Sequence, residues 1–278
     1  MKKLFLILLI FPFFAKAQHM SCCSAGSSTE KFAQLASNEK FAASHEAPVP
    51  FVFNSVKGSM VNYKTSDGKS TTSFEIPAAT KSNNWLIVFH EWWGLNDYIK
   101  KEAEKLSDEL PGVNIIAVDL YDEQIAATPD EAQTIMSSMK DERSRSIIQA
   151  TFAHAGNDAK FATIGWCMGG GWSLQASIMA AKQGIGCVMY YGMPETNVDK
   201  LKTLNGDVLG LFAKRDEWIN EKVVKTFEKN MKDADKNLTV KSYDADHAFA
   251  NPSNPNHVKE ATADAHEMAI SFLRARLK

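Results

Sequence analysis

Phe161-Ala162-Thr163-Ile164-Gly165-Trp166-Cys167-Met168-Gly169-Gly170 decides the fold. Its apolar start reads as a buried strand, and Trp172-Ser173-Leu174-Gln175-Ala176 continues it as a helix, so a sharp strand-to-helix turn is implied at Cys167. A reactive residue at such a turn needs small neighbours two positions before and after it, where strand and helix backbones approach closely. Gly165 and Gly169 occupy those positions. Taken alone, the turn fits a nucleophile and a buried structural cysteine equally well.

Outward from this turn, apolar runs alternate with segments of helical spacing. Residues 85–89, 114–118, 186–191 and 208–213 read as strands buried on both faces, and residues 239–243 as a last strand. Helices are expected over residues 97–110, 129–139, 143–155, 221–232 and 257–277, the first with Ile99, Ala103, Leu106 and Leu110 on one face. Strands over 60–65 and 71–76, joined by Ser66-Asp67-Gly68-Lys69, form an opening hairpin. The alternation predicts an α/β fold, a mostly parallel sheet with helices on both faces, whose site lies at the carboxyl ends of the strands.

The remainder divides into three parts. Residues 1–17 carry Lys2, Lys3, an apolar run over 4–14 and Ala15-Lys16-Ala17, which reads as a secretory signal peptide cleaved after Ala17. No later stretch approaches the ~20 apolar residues of a membrane span, so the chain is expected to be exported, periplasmic or extracellular. Residues 18–50 form an arm or linker before a domain over 51–278. Two copies of Glu-Lys-Phe-Ala, at 30–33 and 39–42, would place Phe32 and Phe41 on opposite faces of one continuous helix. Two short helices, capped by Thr29 and by Ser37 or Asn38, explain both phenylalanines better. Such helices would dock on the domain; a mobile linker is the alternative.

The chain has 278 residues, a formal charge of -2 and four cysteines. The charge makes no electrostatic case for nucleic acid. The cysteines are too few and too irregular for a disulfide framework. Cys22 and Cys23, with His19 and Met20, could offer soft ligands to a metal such as copper; a disordered tail is the simpler reading, and lipid attachment at Cys22 is disfavoured by the poor approach sequence. Cys187 reads as a buried small hydrophobe.

At the expected strand ends stand His90 and Glu91, Cys167, Asp216 and His247. A thiol needs a base to become a thiolate, and a histidine base needs an acceptor that fixes its tautomer. Cys167, His247 and Asp216 supply these roles in the order nucleophile, acid, histidine, the order of α/β hydrolases. Glu217 is an alternative acceptor; His154, His257 and His266 lie in helical or flanking polar stretches.

The sequence from about residue 59 onward resembles the dienelactone hydrolase family. The likeness is carried by His90-Glu91-Trp92-Trp93-Gly94-Leu95-Asn96, Asp119-Leu120-Tyr121, the turn at 165–170, Tyr190-Tyr191-Gly192 and Asp246-His247-Ala248-Phe249. It implies an α/β-hydrolase fold, with Cys167 as nucleophile, His247 as base and later acid, and Asp216 as orienter. It also implies that Glu91 contacts the resting thiol and couples its activation to substrate binding. The backbone N–H groups of Met168 and Trp92 would stabilise the oxyanion. Trp93, Trp166, Trp218 and Phe249 could wall an apolar pocket with Trp92, whereas Trp172 is assigned to the core.

In the family's namesakes two arginines hold the substrate carboxylate. Glu123 and Asn251 stand at the corresponding positions here, and the exchange weakens carboxylate recognition, since a desolvated carboxylate needs charge-assisted partners. A neutral ester or lactone is therefore expected, unless Arg143 or Arg145 faces the pocket. No metal or organic cofactor is required. The alternatives are a catalytically silent binding protein on the same scaffold and, disfavoured by the lack of a Cys-x-x-Cys pair, thiol redox activity at Cys167.

Overall fold

The computed structural model describes residues 27–278; the expected signal peptide and Cys22 and Cys23 lie outside the described residues. Eight strands form one sheet: β1 (Ser59–Lys64), β2 (Ser70–Ile76), β3 (Asn84–Phe89), β4 (Asn114–Val118), β5 (Lys160–Trp166), β6 (Gly184–Tyr190), β7 (Asp207–Ala213) and β8 (Leu238–Tyr243). Their order is β1-β2-β4-β3-β5-β6-β7-β8. β1, β2 and β4 pair antiparallel, and every pair from β4 to β8 is parallel.

Sequence explains the inner and outer strands differently. In β3 and β5 every residue after the first is buried, so both faces are covered and the strand reads as one apolar run. β8 at the edge alternates half-buried and exposed positions up to the buried Tyr243, and its Lys241 suits an edge that faces water. The helices of the domain are α3 (Asp97–Glu109), α4 (Pro129–Ser138), α5 (Asp141–Ala155), α6 (Met168–Met179), α7 (Val198–Leu201), α8 (Glu221–Asp233) and α9 (Lys259–Arg276), preceded by α1 (Ser28–Ala36) and α2 (Glu39–Ala43) in the arm. This is an α/β-hydrolase fold. α5 begins at Asp141, two residues before the expected start, and the one-turn helix α7, capped by Asn197, has too little periodicity to read from sequence.

The arm packs on the domain as two short helices. The cap of α1 is Ser27 rather than Thr29: the Ser27 hydroxyl accepts from the Glu30 N–H while the Glu30 carboxylate accepts from the Ser27 N–H. Thr29 instead donates its hydroxyl to Asp141 at 2.5 Å. Asn38 caps α2. Helices this short are marginal alone, so packing must hold them. Phe32 and Phe41 meet edge to face at 5.7 Å, and both are buried. Gln175 of α6 donates to the Ser28 hydroxyl at 3.0 Å, and Lys40 pairs with Glu217 at 2.9 Å. That ion pair is exposed and contributes little; the phenylalanines contribute roughly 2–3 kcal/mol each.

Candidate active site

Cys167 lies between the last residue of β5 and the first of α6, with φ 57° and ψ -120°, a conformation that costs a non-glycine residue energy and persists only where neighbours enforce it. The glycines do so by letting backbones touch. A Cβ at Gly165 would lie 2.1 Å from the Gly169 carbonyl oxygen, and one at Gly169 would lie 2.4 Å from the carbonyl oxygens of Phe89 and His90. The turn is pinned from both sides: the Cys167 N–H donates to the Tyr190 carbonyl, and its own carbonyl accepts from the Gly170 N–H, both at 3.0 Å.

Three strand ends converge above it. His247, in the loop after β8, places Nε2 3.3 Å from Cys167 Sγ and Nδ1 2.6 Å from Asp216 Oδ2. Asp216 follows β7, and its Oδ1 accepts from the N–H groups of Trp218 and Ile219, both at 2.9 Å. Glu217 lies outside this network, paired with Lys40. The Glu91 carboxylate, after β3, accepts from Asn251 Nδ2 and from the Tyr191 hydroxyl at 3.5 Å; its described hydrogen bonds go to these two residues and not to the thiol. His90 beside it is structural, with Nδ1 at the Glu91 carbonyl and Nε2 accepting from the Leu120 N–H.

Electrostatics follow from burial and pairing. Burial disfavours the charged form and pushes the Cys167 thiol up, against the pull of His247 and the Met168 N–H. Burial also works against a charged His247, but Asp216 and Cys167 outweigh it and hold the imidazole well above its usual value. Asp216 would be raised by burial, yet His247 and the two backbone donors leave it below the carboxylate range. Burial pushes Glu91 up to about 7 despite His247, Asn251 and Tyr191.

The arm supplies a residue that sequence reasoning passed over. His45, just beyond α2, points Nε2 at Cys167 Sγ from 4.0 Å, while its Nδ1 lies 2.7 Å from the Phe41 carbonyl. Its ring packs on those of Phe41, Trp92 and His247, at 4.4, 4.7 and 5.4 Å. Burial and the neighbouring His247 lower it to about 3, so it is neutral. Phe41 in turn touches Trp92, Trp218 and His247. Together they roof the site, leaving Cys167 only 1% exposed. The available signal was the position of His45 four residues after Phe41 and just before Pro48 and Pro50.

The other expected site residues separate into groups. Trp92 is fully buried against the arm, and among the described hydrogen bonds none uses its backbone N–H. Phe249 packs on Tyr191 and Tyr243. Trp93, Trp166, Glu91 and Asn251 line a cavity of about 360 Å³, with Tyr190 and Lys101 also in its wall. Cys167 and His247 are not in that lining. Glu123 is exposed, and its described hydrogen bond is a backbone one, to Asp119. Arg143 is bonded to Asp122 and Thr65, and Arg145 to Asp141 and Gln175, so neither enters the cavity.

An eight-stranded sheet of this order, with a strained residue between strand and helix at its carboxyl edge, defines an α/β hydrolase. Residues 74–277 match the model of the dienelactone hydrolase family, and the chain belongs to that family. A Saccharolobus solfataricus protein named "Putative carboxymethylenebutenolidase" is 30% identical over 254 residues, which cover 75% of this chain and 95% of its own. Carboxymethylenebutenolidase 1 of Cupriavidus pinatubonensis is 23% identical over 209 residues, 70% of this chain and 87% of its own. Among solved structures, a dienelactone hydrolase-like promiscuous phosphotriesterase from metagenomic libraries aligns with a TM-score of 0.68 at 19% identity, over 80% of this chain and all of the other. At that identity the structure supports the fold alone.

Proposed function

We propose that this protein is an exported cysteine hydrolase that cleaves a neutral ester or lactone. The reading rests above all on one observation: Sγ, Nε2, Nδ1 and Oδ2 of Cys167, His247 and Asp216 run in a chain of 3.3 and 2.6 Å contacts at the carboxyl edge of the sheet. His247 Nε2 takes the thiol proton as Sγ attacks the carbonyl carbon. The oxyanion rests on the Met168 and Trp92 N–H groups, in the way such donors stabilise charge that develops only in the transition state. His247 then gives its proton to the leaving oxygen. A water, deprotonated by the same nitrogen, attacks the thioester and releases the acid, restoring the thiol. Asp216 holds Nδ1–H throughout, so that Nε2 is the basic nitrogen.

A neutral substrate is favoured because Asn251 gives its amide to Glu91, and no arginine stands among the described residues that line the cavity. The roofed thiol favours the second reading, a silent binding protein, as long as the arm stays docked. A panel of neutral p-nitrophenyl esters and an anionic dienelactone separates these readings. Neutral esters should turn over, Cys167→Ala should abolish that turnover, and the dienelactone should be slow; turnover unaltered by Cys167→Ala would leave the binding protein. Export is supported by Lys2, Lys3 and the apolar run after them, and is tested by fractionating cells that express the full chain.

A further inference from the structure

The thiol faces two imidazoles rather than one, and acyl transfer uses only one of them. His45 Nε2, His247 Nε2 and Cys167 Sγ all lie within 4.8 Å of one another, and all three residues are buried. We infer that the docked arm and the catalytic turn together form a His₂Cys site for a thiophilic divalent cation, of which Zn²⁺ is the type.

Both imidazoles are oriented as metal ligands are. A histidine that ligates a metal through one nitrogen usually donates the other N–H to a carboxylate or a backbone carbonyl, which aims the free lone pair. His247 Nδ1 has Asp216 at 2.6 Å, and His45 Nδ1 has the Phe41 carbonyl at 2.7 Å. Each partner puts the hydrogen on Nδ1, so both Nε2 lone pairs face the sulfur.

The sulfur–nitrogen distances fit as well. Bonds of ~2.3 Å to sulfur and ~2.0–2.1 Å to nitrogen imply S···N separations of about 3.5–3.8 Å for tetrahedral to trigonal angles. The two observed separations, 3.3 and 4.0 Å, bracket that range. The two imidazole nitrogens, within 4.8 Å of one another, have to close to about 3.3–3.6 Å on the ion, a movement that falls to His45 beside its short arm helix.

Charge favours a divalent ion. On binding, the thiol loses its proton to solvent and the metal–sulfur bond forms with no change of oxidation state. The divalent ion then offsets both the Cys167 thiolate and the Asp216 carboxylate, which a monovalent ion would not, with Glu91 the further carboxyl near the thiol. Three protein ligands leave a fourth position open. Because the ion would hold both Sγ and His247 Nε2, metal binding and acyl transfer exclude one another, and the arm that carries His45 decides between them.

This inference does not rest on the hydrolase reading, and its test needs no turnover. The full chain carrying Cys22→Ser and Cys23→Ser is stripped with a chelator, then titrated with Zn²⁺ against a chromophoric competitor and with Co²⁺ as a spectroscopic probe. One equivalent should bind, and Co²⁺ should show thiolate charge-transfer absorption in the near ultraviolet. Cys167→Ala should abolish that absorption. His45→Ala should weaken Zn²⁺ binding by at least about 100-fold, more than the 10–100-fold typical of losing an outer-shell partner. His45→Gln, closer in volume to histidine, repeats the test if the alanine variant undocks the arm. Circular dichroism verifies that each variant is folded. No stoichiometric binding, binding without the thiolate band, affinity unchanged in both His45 variants, or Cu⁺ binding without Zn²⁺ binding would each overturn the assignment.

Discussion

His45 Nε2 stands 4.0 Å from Cys167 Sγ although 122 residues separate them in the chain, and what spans that gap is the docking of Phe41 against Trp92, Trp218 and His247. Phe41→Ala removes the anchor of the roof. Truncating a buried phenylalanine costs about 3–5 kcal/mol, and because the arm is a peripheral unit the loss should appear as local opening rather than global unfolding. Alkylation of Cys167 by iodoacetamide, followed by peptide mapping, should accelerate by about 100-fold or more. An unchanged rate would mean that reagents reach the thiol by another route.

Asp216→Asn keeps the shape of the site but removes the anionic acceptor that fixes Nδ1–H on His247. Loss of the correct tautomer in such a triad lowers kcat by about 10³–10⁴-fold with little change in KM. Steady-state kinetics on the best p-nitrophenyl ester reads this directly. A loss confined to KM would make Asp216 part of substrate binding instead.

Glu91 titrates near neutrality because burial pushes it up to about 7 from its ordinary value of 4.5. The folded state therefore holds this proton more tightly than the unfolded one. Its stabilisation is complete below pH 4.5 and is lost as pH rises through 7, a difference of about 3 kcal/mol. Glu91→Gln removes that dependence. Urea unfolding at pH 5 and pH 8 should show the stability difference between wild type and variant changing by about 2–3 kcal/mol, in the direction that favours wild type at pH 5. The same difference at both pH values would contradict the assignment.

Gly165→Ala and Gly112→Ala form a matched pair. The first Cβ would meet the Gly169 carbonyl at 2.1 Å, and the second meets nothing within 4 Å. Gly165→Ala should cost about 4 kcal/mol or more, in the range of the most disruptive substitutions, while Gly112→Ala should stay within about 0.5 kcal/mol of wild type. Denaturation midpoints of the two variants check both.

The strand-to-helix turn at Cys167 was legible in the sequence because its signals are local: strand, glycine spacing and helix all fall within a dozen residues. Strand ends were legible too, since β3 to β7 are buried runs whose termini fall beside Glu91, Cys167 and Asp216. His45 was not, because its role depends on which way the arm folds back, a long-range packing outcome that helix spacing leaves open. The duplicated Glu-Lys-Phe-Ala segment suggested two helices and a docked Phe41, but nothing local said that the docking surface would be the site itself. Glu91 differs for a related reason: its Asn251 partner comes from the loop after β8, and the pairing turns the carboxylate toward the cavity side.

The central claim, that Cys167 is the acylated nucleophile, is tested most directly by acid-quenching the enzyme during turnover of a slow ester and mapping the acyl group by peptide mass spectrometry. The account predicts a stoichiometric thioester on the peptide that carries Cys167, absent from Cys167→Ala. Turnover at full rate with no adduct there, or with the acyl group on another side chain, would contradict it.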